Sequence, residues 1–154
     1  MKLGIIGYGV VGKAAAATLS KSFELFIYDK YQNLSEFNEL IDCEFIFVMV
    51  PTPFDCKRNA VDLSAVEESL ERLNRMNYSR NVLIKSTVPP GTCSNYSDRF
   101  KFELIFNPEF LRESTTPNED FANQDTIVIG TNKKSVFERV KKMYQEVAID
   151  KANY

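Results

Sequence analysis

The sequence predicts an α/β fold, a doubly wound and mostly parallel six-stranded sheet with helices on both faces. Apolar runs of strand length alternate with helix-like segments along the chain, which is typical of such sheets. A glycine-rich turn joins the first strand to the first helix, and the sequence contains no internal repeat or low-complexity segment. With 154 residues the chain has the size of one domain, which we expect to span 1–154.

The first strand, turn and helix carry the most specific signal. The apolar run 3–6 leads into Gly7, Gly9 and Gly12, and the helix-forming stretch 13–19 follows directly. In a dinucleotide-binding turn, Gly7 allows the tight turn, Gly9 lets the backbone approach a pyrophosphate, and Gly12 lets the helix pack on the strand. We therefore expect a Rossmann-type site in which the helix N-terminus faces the anion.

An acidic residue completes this pattern. Asp29 closes the second predicted strand, residues 24–28, at about the 20-residue distance expected of the ribose-binding acid. A carboxylate there accepts hydrogen bonds from the ribose hydroxyls and repels a 2′-phosphate, so NAD is favoured over NADP. Lys30 is a weaker signal in the opposite direction. The alternative is an ordinary strand–helix turn with a surface aspartate.

The middle of the chain supplies the third strand and two helices. Apolar residues at helical spacing predict a short amphipathic helix over 34–41. The apolar run 45–50 predicts a strand covered on both faces, which ends at Pro51 because proline cannot donate to the ladder. Residues 54–60 are a polar loop, and Asp62 is the expected N-cap of the next helix. Two i,i+4 pairs are predicted on the exposed face of that helix: Glu68–Arg72 and Glu71–Arg75.

Three further strands and a last helix complete the prediction. The strands cover 82–84, 104–106 and 126–130, with a helix or turn through about residue 100 between the first two. An apolar stripe marks the last helix and consists of Val136, Val140, Met143 and Val147. The polar segments after the first, third, fourth and fifth strands lie on the carboxyl edge of the sheet, where ligands bind.

The composition limits the function classes. A net charge of −2 gives no reason to expect nucleic acid or a membrane surface as a partner, and no apolar run has the length of a membrane span. The chain contains no histidine, the commonest general base and metal ligand, and we expect no metal site. Three cysteines without CxxC spacing, and no room for a signal peptide before the first strand, favour a cytoplasmic location.

Candidate chemistry lies after the strands. The hydroxyls of Thr52 and Thr87 are placed where a nicotinamide ribose and a substrate would meet, although for a single threonine a local turn hydrogen bond is the better explanation. Glu109 and Glu113 are four residues apart, so on a helical turn both carboxylates would share a face and could orient water or take a proton. The alternative is two solvated acids flanking Arg112.

Three motifs follow the glycine turn in a fixed order: Pro51-Thr52-Pro53, Lys85-Ser86-Thr87-Val88-Pro89-Pro90-Gly91-Thr92 and Asn107-Pro108-Glu109-Phe110-Leu111-Arg112-Glu113. With them, essentially the whole chain resembles the N-terminal domain of the UDP-glucose/GDP-mannose dehydrogenase family. The resemblance implies a role in polysaccharide biosynthesis. It also implies oxidation of the C6 alcohol of a nucleotide sugar to a carboxylate, in two NAD-dependent steps through a thiohemiacetal on a cysteine.

The resemblance also implies roles for individual residues. Thr87 is similar to a threonine that orders a catalytic water, and Glu109 to the acid that works through that water. Phe110 and Leu111, with Glu109, resemble contacts of the nucleotide sugar, and Glu113 a residue near the nicotinamide. The residues expected at the cofactor are Gly7, Gly9, Val10, Val11, Gly12, Asp29, Lys30, Pro51, Thr52, Thr87 and Glu113.

The sequence departs from the family in two ways. Ser114 and Thr126 stand where the family usually has glycine and arginine. The family's central domain, and its C-terminal domain with the nucleophilic cysteine, have no counterpart in the 154 residues, so we expect the chain to be inactive alone. A free-standing NAD-binding module, an inactive remnant and another β-hydroxyacid-type dehydrogenase are the alternatives, and segment 107–113 argues against the last.

An uncovered apolar surface is also expected. Phe110 and Leu111 are poor candidates for a wet loop, and Phe137 and Tyr144 flank the stripe of the last helix. We therefore expect a homodimer, or a partner that supplies the missing domains.

Overall fold

The computed structural model describes residues 1–147 and 152–154. Seven strands are assigned within this part of the chain: β1 Lys2–Ile6, β2 Glu24–Tyr28, β3 Phe45–Val48, β4 Phe54–Asp55, β5 Ala60–Val61, β6 Asn81–Ile84 and β7 Glu103–Phe106. Five α-helices accompany them there: α1 Val10–Leu19, α2 Ser64–Arg75, α3 Thr92–Ser97, α4 Pro117–Ala122 and α5 Lys134–Gln145.

The central sheet has the order β2-β1-β3-β6-β7. All of its neighbouring strands pair in parallel, so their carboxyl ends share one edge. The chain leaves β1 for β2 on one side and returns to β3 on the other. The predicted fold class is therefore confirmed: this is a doubly wound α/β sheet of the Rossmann type.

Both faces of the sheet are covered, which explains the unbroken apolar run of β3. Phe45 and Phe47 point into a core shared with α1, α4 and α5, whereas Ile46 and Val48 point into a second core with α2. All four side chains are at most 2% exposed. A parallel strand covered on both faces cannot alternate apolar with polar residues, as the sequence indicated.

The sheet contains five strands within the described residues rather than six. The predicted strand 126–130 makes only isolated bridges, from Gly130 to Phe106 and from Thr126 to Asn153. The side-chain amide of Asn107 donates to the carbonyl of Val128 at 2.8 Å, so a side chain takes the place of a ladder partner. The segment lies beside β7 without extending the sheet.

Two predicted connections differ in detail. The helix predicted over 34–41 is a 3₁₀ helix, Phe37–Asp42, and a capping box between Glu36 and Glu39 sets its start. The loop 54–60 contains the antiparallel hairpin β4–β5. The predicted N-cap of α2 is one residue early, because Leu63 is the N-cap, although the carboxylate of Asp62 accepts the N–H of Ser64 at 2.9 Å.

The predicted i,i+4 pairs on α2 are wrong. Glu68 pairs with Lys30, and Glu71 with Arg99, because both carboxylates face cations on neighbouring segments. No helix among the described residues is long and apolar enough to cross a bilayer.

Candidate functional site

A cleft of about 1060 Å³ opens at the carboxyl edge of the sheet. It is centred on the ends of β1 and β3, where the strand order reverses and where doubly wound sheets bind their ligands. Most of the residues predicted at the cofactor and substrate line it: Gly7, Gly9, Val10, Val11, Asp29, Lys30, Pro51, Thr52, Thr87, Glu109, Leu111 and Glu113. The cleft therefore joins motifs that are far apart in the sequence.

The glycine turn is held by close backbone contacts. Gly7 has φ +98°, and a Cβ there would lie 2.3 Å from the carbonyl oxygen of Met49, at the end of β3. A Cβ on Gly12 would lie 2.1 Å from the carbonyl oxygen of Gly7. The backbone below the cleft is therefore packed too closely to admit a side chain at Gly12. A Cβ on Gly9 would meet nothing within 4 Å, which leaves the turn open to a ligand.

Asp29 is fixed to the glycine turn. Its carboxylate accepts the backbone N–H of Tyr8 at 2.8 Å and that of Tyr31 at 2.9 Å. Partial burial acts to raise the pKa of Asp29, but these hydrogen bonds hold it below its ordinary value. The carboxylate is therefore charged and oriented at the place where Rossmann domains bind the adenosine ribose.

Two cations flank this end of the cleft. Lys30 Nζ lies 3.1 and 2.9 Å from the two carboxylate oxygens of Glu68 on α2. Arg72 donates to the Tyr28 hydroxyl at 2.6 Å, and its guanidinium lies 3.9 Å from the centre of the Phe37 ring. Lys30 was predicted at the site, whereas Glu68 and Arg72 were placed by sequence on an exposed helix face.

The ends of β3 and β6 are tied together in the middle of the cleft. Thr52 donates its hydroxyl to the carbonyl of Thr87 at 2.7 Å. Ser86 donates to the carbonyl of Val50 at 2.8 Å and accepts the Val50 N–H at 2.9 Å. Thr52 therefore has the structural role that the sequence left open, while Thr87 is exposed and directs no side-chain hydrogen bond into the described protein.

A buried ion pair forms one wall. Lys85 Nζ lies 2.8 Å from Oε2 of Glu109, and the two side chains are 0% and 5% exposed. Lys85 also lies 3.4 Å from the side-chain oxygens of Asn107 and Tyr144. Burial lowers the pKa of Lys85, although the carboxylate of Glu109 opposes this shift. Burial also raises the pKa of Tyr144 well above its usual range, so this hydroxyl is a neutral partner.

The segment 107–113 is not helical, so the predicted shared helical face of Glu109 and Glu113 is wrong. Both side chains nevertheless line the cleft, because the segment crosses its mouth in an irregular conformation. Arg112 anchors the crossing through Asp120, which accepts its backbone N–H at 2.9 Å and its guanidinium at 2.7 Å. Phe110 is not among the residues that line the cleft and is 64% exposed.

The sequence did not predict a role at this site for several residues, mainly Lys85, Tyr144 and Glu68. A lysine at the end of an apolar run is unusual for a buried strand and is the one local signal for Lys85. Tyr144 was expected at the surface of the last helix but is 0% exposed, because its ring packs in the core against Phe47, and its buried hydroxyl donates to Asn107 at 2.5 Å.

The fold and the site define a dinucleotide-binding domain of the Rossmann class. The profile of the "UDP-glucose/GDP-mannose dehydrogenase family, NAD binding domain" matches residues 28–148. The chain belongs to this family, and its cofactor is NAD.

Curated relatives agree with this assignment. UDP-glucose 6-dehydrogenase of Rickettsia felis is 39% identical over 121 residues, which are 75% of this chain and 26% of the relative. The enzyme of the same name from Streptococcus pneumoniae is 27% identical over 86% of this chain and 41% of its own length. The chain therefore spans about a quarter to two fifths of these relatives.

Solved structures share the fold. GDP-mannose dehydrogenase of Pseudomonas aeruginosa, solved as a ternary complex, superposes on 95% of this chain and 44% of its own, with a TM-score of 0.81 and 25% identity. UDP-D-ManNAc dehydrogenase of Pyrococcus horikoshii has the same TM-score of 0.81 at 16% identity, and the match covers 96% of this chain and 45% of that protein.

The glycine contacts give a first prediction. Gly12→Ala should lower the free energy of unfolding by about 1–3 kcal/mol, because the new methyl group overlaps the Gly7 carbonyl. Gly9→Ala, in open space, should change it by less than about 0.5 kcal/mol. Urea denaturation of both variants is the measurement, and equal stabilities would contradict the packing described.

The buried ion pair gives a second prediction. Lys85→Met should lower the free energy of unfolding by about 3–5 kcal/mol, because it leaves the carboxylate of Glu109 buried without its cation. Replacing both residues, Lys85→Met with Glu109→Gln, should recover part of the loss, since neither charge then remains.

The matched control is a more exposed ion pair that joins the start of α5 to β7. Lys133, 64% exposed, lies 2.6 Å from Glu103 at the start of β7. Lys133→Met should leave the stability close to that of the unmodified chain. If the loss of unfolding free energy in the double variant equals the sum of the losses in Lys85→Met and in Glu109→Gln, the two residues are not coupled. The description of this wall of the cleft would then be wrong.

Proposed function

We propose that the chain is the cofactor half of an NAD-dependent nucleotide-sugar 6-dehydrogenase. The observation that carries the proposal is the cleft itself, which brings the glycine turn and Asp29 to one end and Thr87 and Glu109 to the other. A dinucleotide in a cleft of this kind lies with adenosine at the acid and nicotinamide at the far strand ends. NAD, when bound, accepts the hydride that the sugar alcohol loses.

Glu109 is the proposed acid–base residue. Its carboxylate lines the cleft, and the ion pair with Lys85 holds one oxygen in place. The other oxygen accepts the N–H of Phe110 at 3.1 Å, so the group has a single orientation. A fixed carboxylate in the same cleft as the exposed hydroxyl of Thr87 is suited to orient a water and take its proton. Leu111, and the backbone beside Phe110, are the proposed contacts of the nucleotide sugar.

The nucleophilic thiol of the reaction is proposed to come from outside the described residues. Burial raises the pKa of Cys43 to about 12 and that of Cys93 to about 11, so both are held as thiols, and a thiolate is the reactive form. Cys56 is exposed on the hairpin and is not among the residues that line the cleft. The chain alone should therefore bind NAD without oxidising UDP-glucose, as a free-standing binding module also would.

The free thiols also give information about the cellular compartment of the protein. Cys43, Cys56 and Cys93 are all unpaired in the structure, as they would be in a reducing compartment. We propose a cytoplasmic location on this ground.

A further part of the proposal concerns the surface beside the cleft mouth. Phe110 is 64% exposed and follows directly on Glu109 in the segment that crosses this mouth. Exposed apolar surface beside a site is a place where another polypeptide can dock. We propose that a second copy of the chain covers it when no other domain does.

The third prediction tests cofactor binding. The chain should bind NAD more tightly than NADP, and Asp29→Asn should weaken NAD binding about tenfold and remove the preference, because the charge that favours a free 2′-hydroxyl is lost. Asp55→Asn, in the hairpin outside the cleft lining, is the control and should leave both affinities unchanged. Isothermal titration calorimetry measures them, and NADP binding equal to NAD binding in the unmodified chain would overturn the role of Asp29.

The fourth prediction tests self-association. Sedimentation equilibrium should show a dimer at about 100 μM, within the range of weak homodimers, and Phe110→Ser should shift the chain to monomer. Phe54→Ser is the matched control, because Phe54 is 57% exposed but lies on the hairpin. A strictly monomeric chain at this concentration would contradict the proposed cover.

A further inference from the structure

Three cations line the cleft among the described residues: Lys30, Arg72 and Lys85. Two of them are engaged by groups that a ligand cannot easily displace. Lys85 is fully buried against Glu109, and Arg72 is held between the Tyr28 hydroxyl and the Phe37 ring. Lys30 is different, because it is 55% exposed and its partner Glu68 is 45% exposed.

Lys30 occupies the position where a 2′-phosphate would be recognised. It follows Asp29 at the end of β2, and dehydrogenases that use NADP place a cation near this acid to bind the phosphate. By position alone, Lys30 would weaken the preference for NAD. The structure shows the ammonium group held by both oxygens of Glu68, at 3.1 and 2.9 Å.

We propose that Glu68 is a second determinant of cofactor specificity, which holds Lys30 on α2 and so denies a 2′-phosphate its cation. This inference rests on the proposed binding of NAD in the cleft. Glu68 acts in two ways: it satisfies Lys30, and it adds a negative charge to that of Asp29 on the adenosine side. Both effects disfavour NADP and leave the uncharged 2′-hydroxyl of NAD unaffected.

The charges of the pair persist at neutral pH. The hydrogen bond from Lys30 lowers the pKa of Glu68, and Glu68 raises the pKa of Lys30. Because both side chains are exposed, the pair is weak, and a competing phosphate oxygen could break it. The expected effect on specificity is therefore moderate, an increase in NADP affinity of about three- to tenfold on removal of Glu68.

The experiment is a titration of NAD and NADP into matched variants of the full chain. Glu68→Gln should raise the affinity for NADP by about three- to tenfold and change that for NAD by less than about twofold. Adding Lys30→Met to Glu68→Gln should cancel most of the gain, because the freed cation is then gone. Glu71→Gln is the control: it lies on the same helix but faces Arg99, 3.8 Å away, and should change neither affinity.

The possible outcomes distinguish a failure of this inference from a failure of the proposed function. No gain of NADP affinity in Glu68→Gln, or a gain that persists in full after Lys30→Met, overturns the role of the pair while leaving NAD binding intact. Absence of NAD binding by the unmodified chain overturns the proposed function, and the inference with it. Thermal denaturation of each variant confirms that a loss of binding is not a loss of folding.

Discussion

The whole cofactor edge depends on close backbone packing at the glycine turn. The carbonyl oxygen of Gly7 occupies the space that a side chain on Gly12 would need, and the end of β3 occupies the space beside Gly7 itself. These contacts set how closely α1 approaches β1 and β3. Asp29 then extends the arrangement to β2, since its carboxylate accepts the N–H of Tyr8 within the turn. The strand ends, the N-terminus of α1 and Asp29 are thus connected by direct contacts.

The opposite end of the cleft is organised by charge. The pair of Lys85 and Glu109 joins the ends of β6 and β7, and Tyr144 connects it to α5. A buried pair of this kind adds little net stability over an apolar pair, but losing one partner is costly. In this protein the ion pair serves to position Glu109, because it holds the charged carboxylate at the cleft on a segment that lacks regular structure.

Sequence patterns predicted what depends on neighbours along the chain. The glycine turn, Asp29 and the buried strands have local signatures, because a tight turn or a strand covered on both faces restricts the residue types directly. Lys30 and Glu68 are 38 residues apart, and no local rule could pair them. The i,i+4 pairs predicted on α2 are wrong for the same reason, because local rules do not reveal partners from distant parts of the chain. Segment 107–113 was recognised by its residues, but its irregular shape follows from contacts to Asp120 and Lys85 that only the fold brings about.

We propose that one cofactor molecule lies along the carboxyl edge from Asp29 to Thr87. Amide chemical-shift mapping of the ¹⁵N-labelled chain during a titration with NAD tests this placement most directly. The largest shifts should fall at Gly7, Gly9, Tyr31 and Thr87, and the opposite edge of the sheet around Lys101 and Glu103 should be unaffected. Shifts confined to that opposite edge, or none at the glycine turn at saturation, would contradict it.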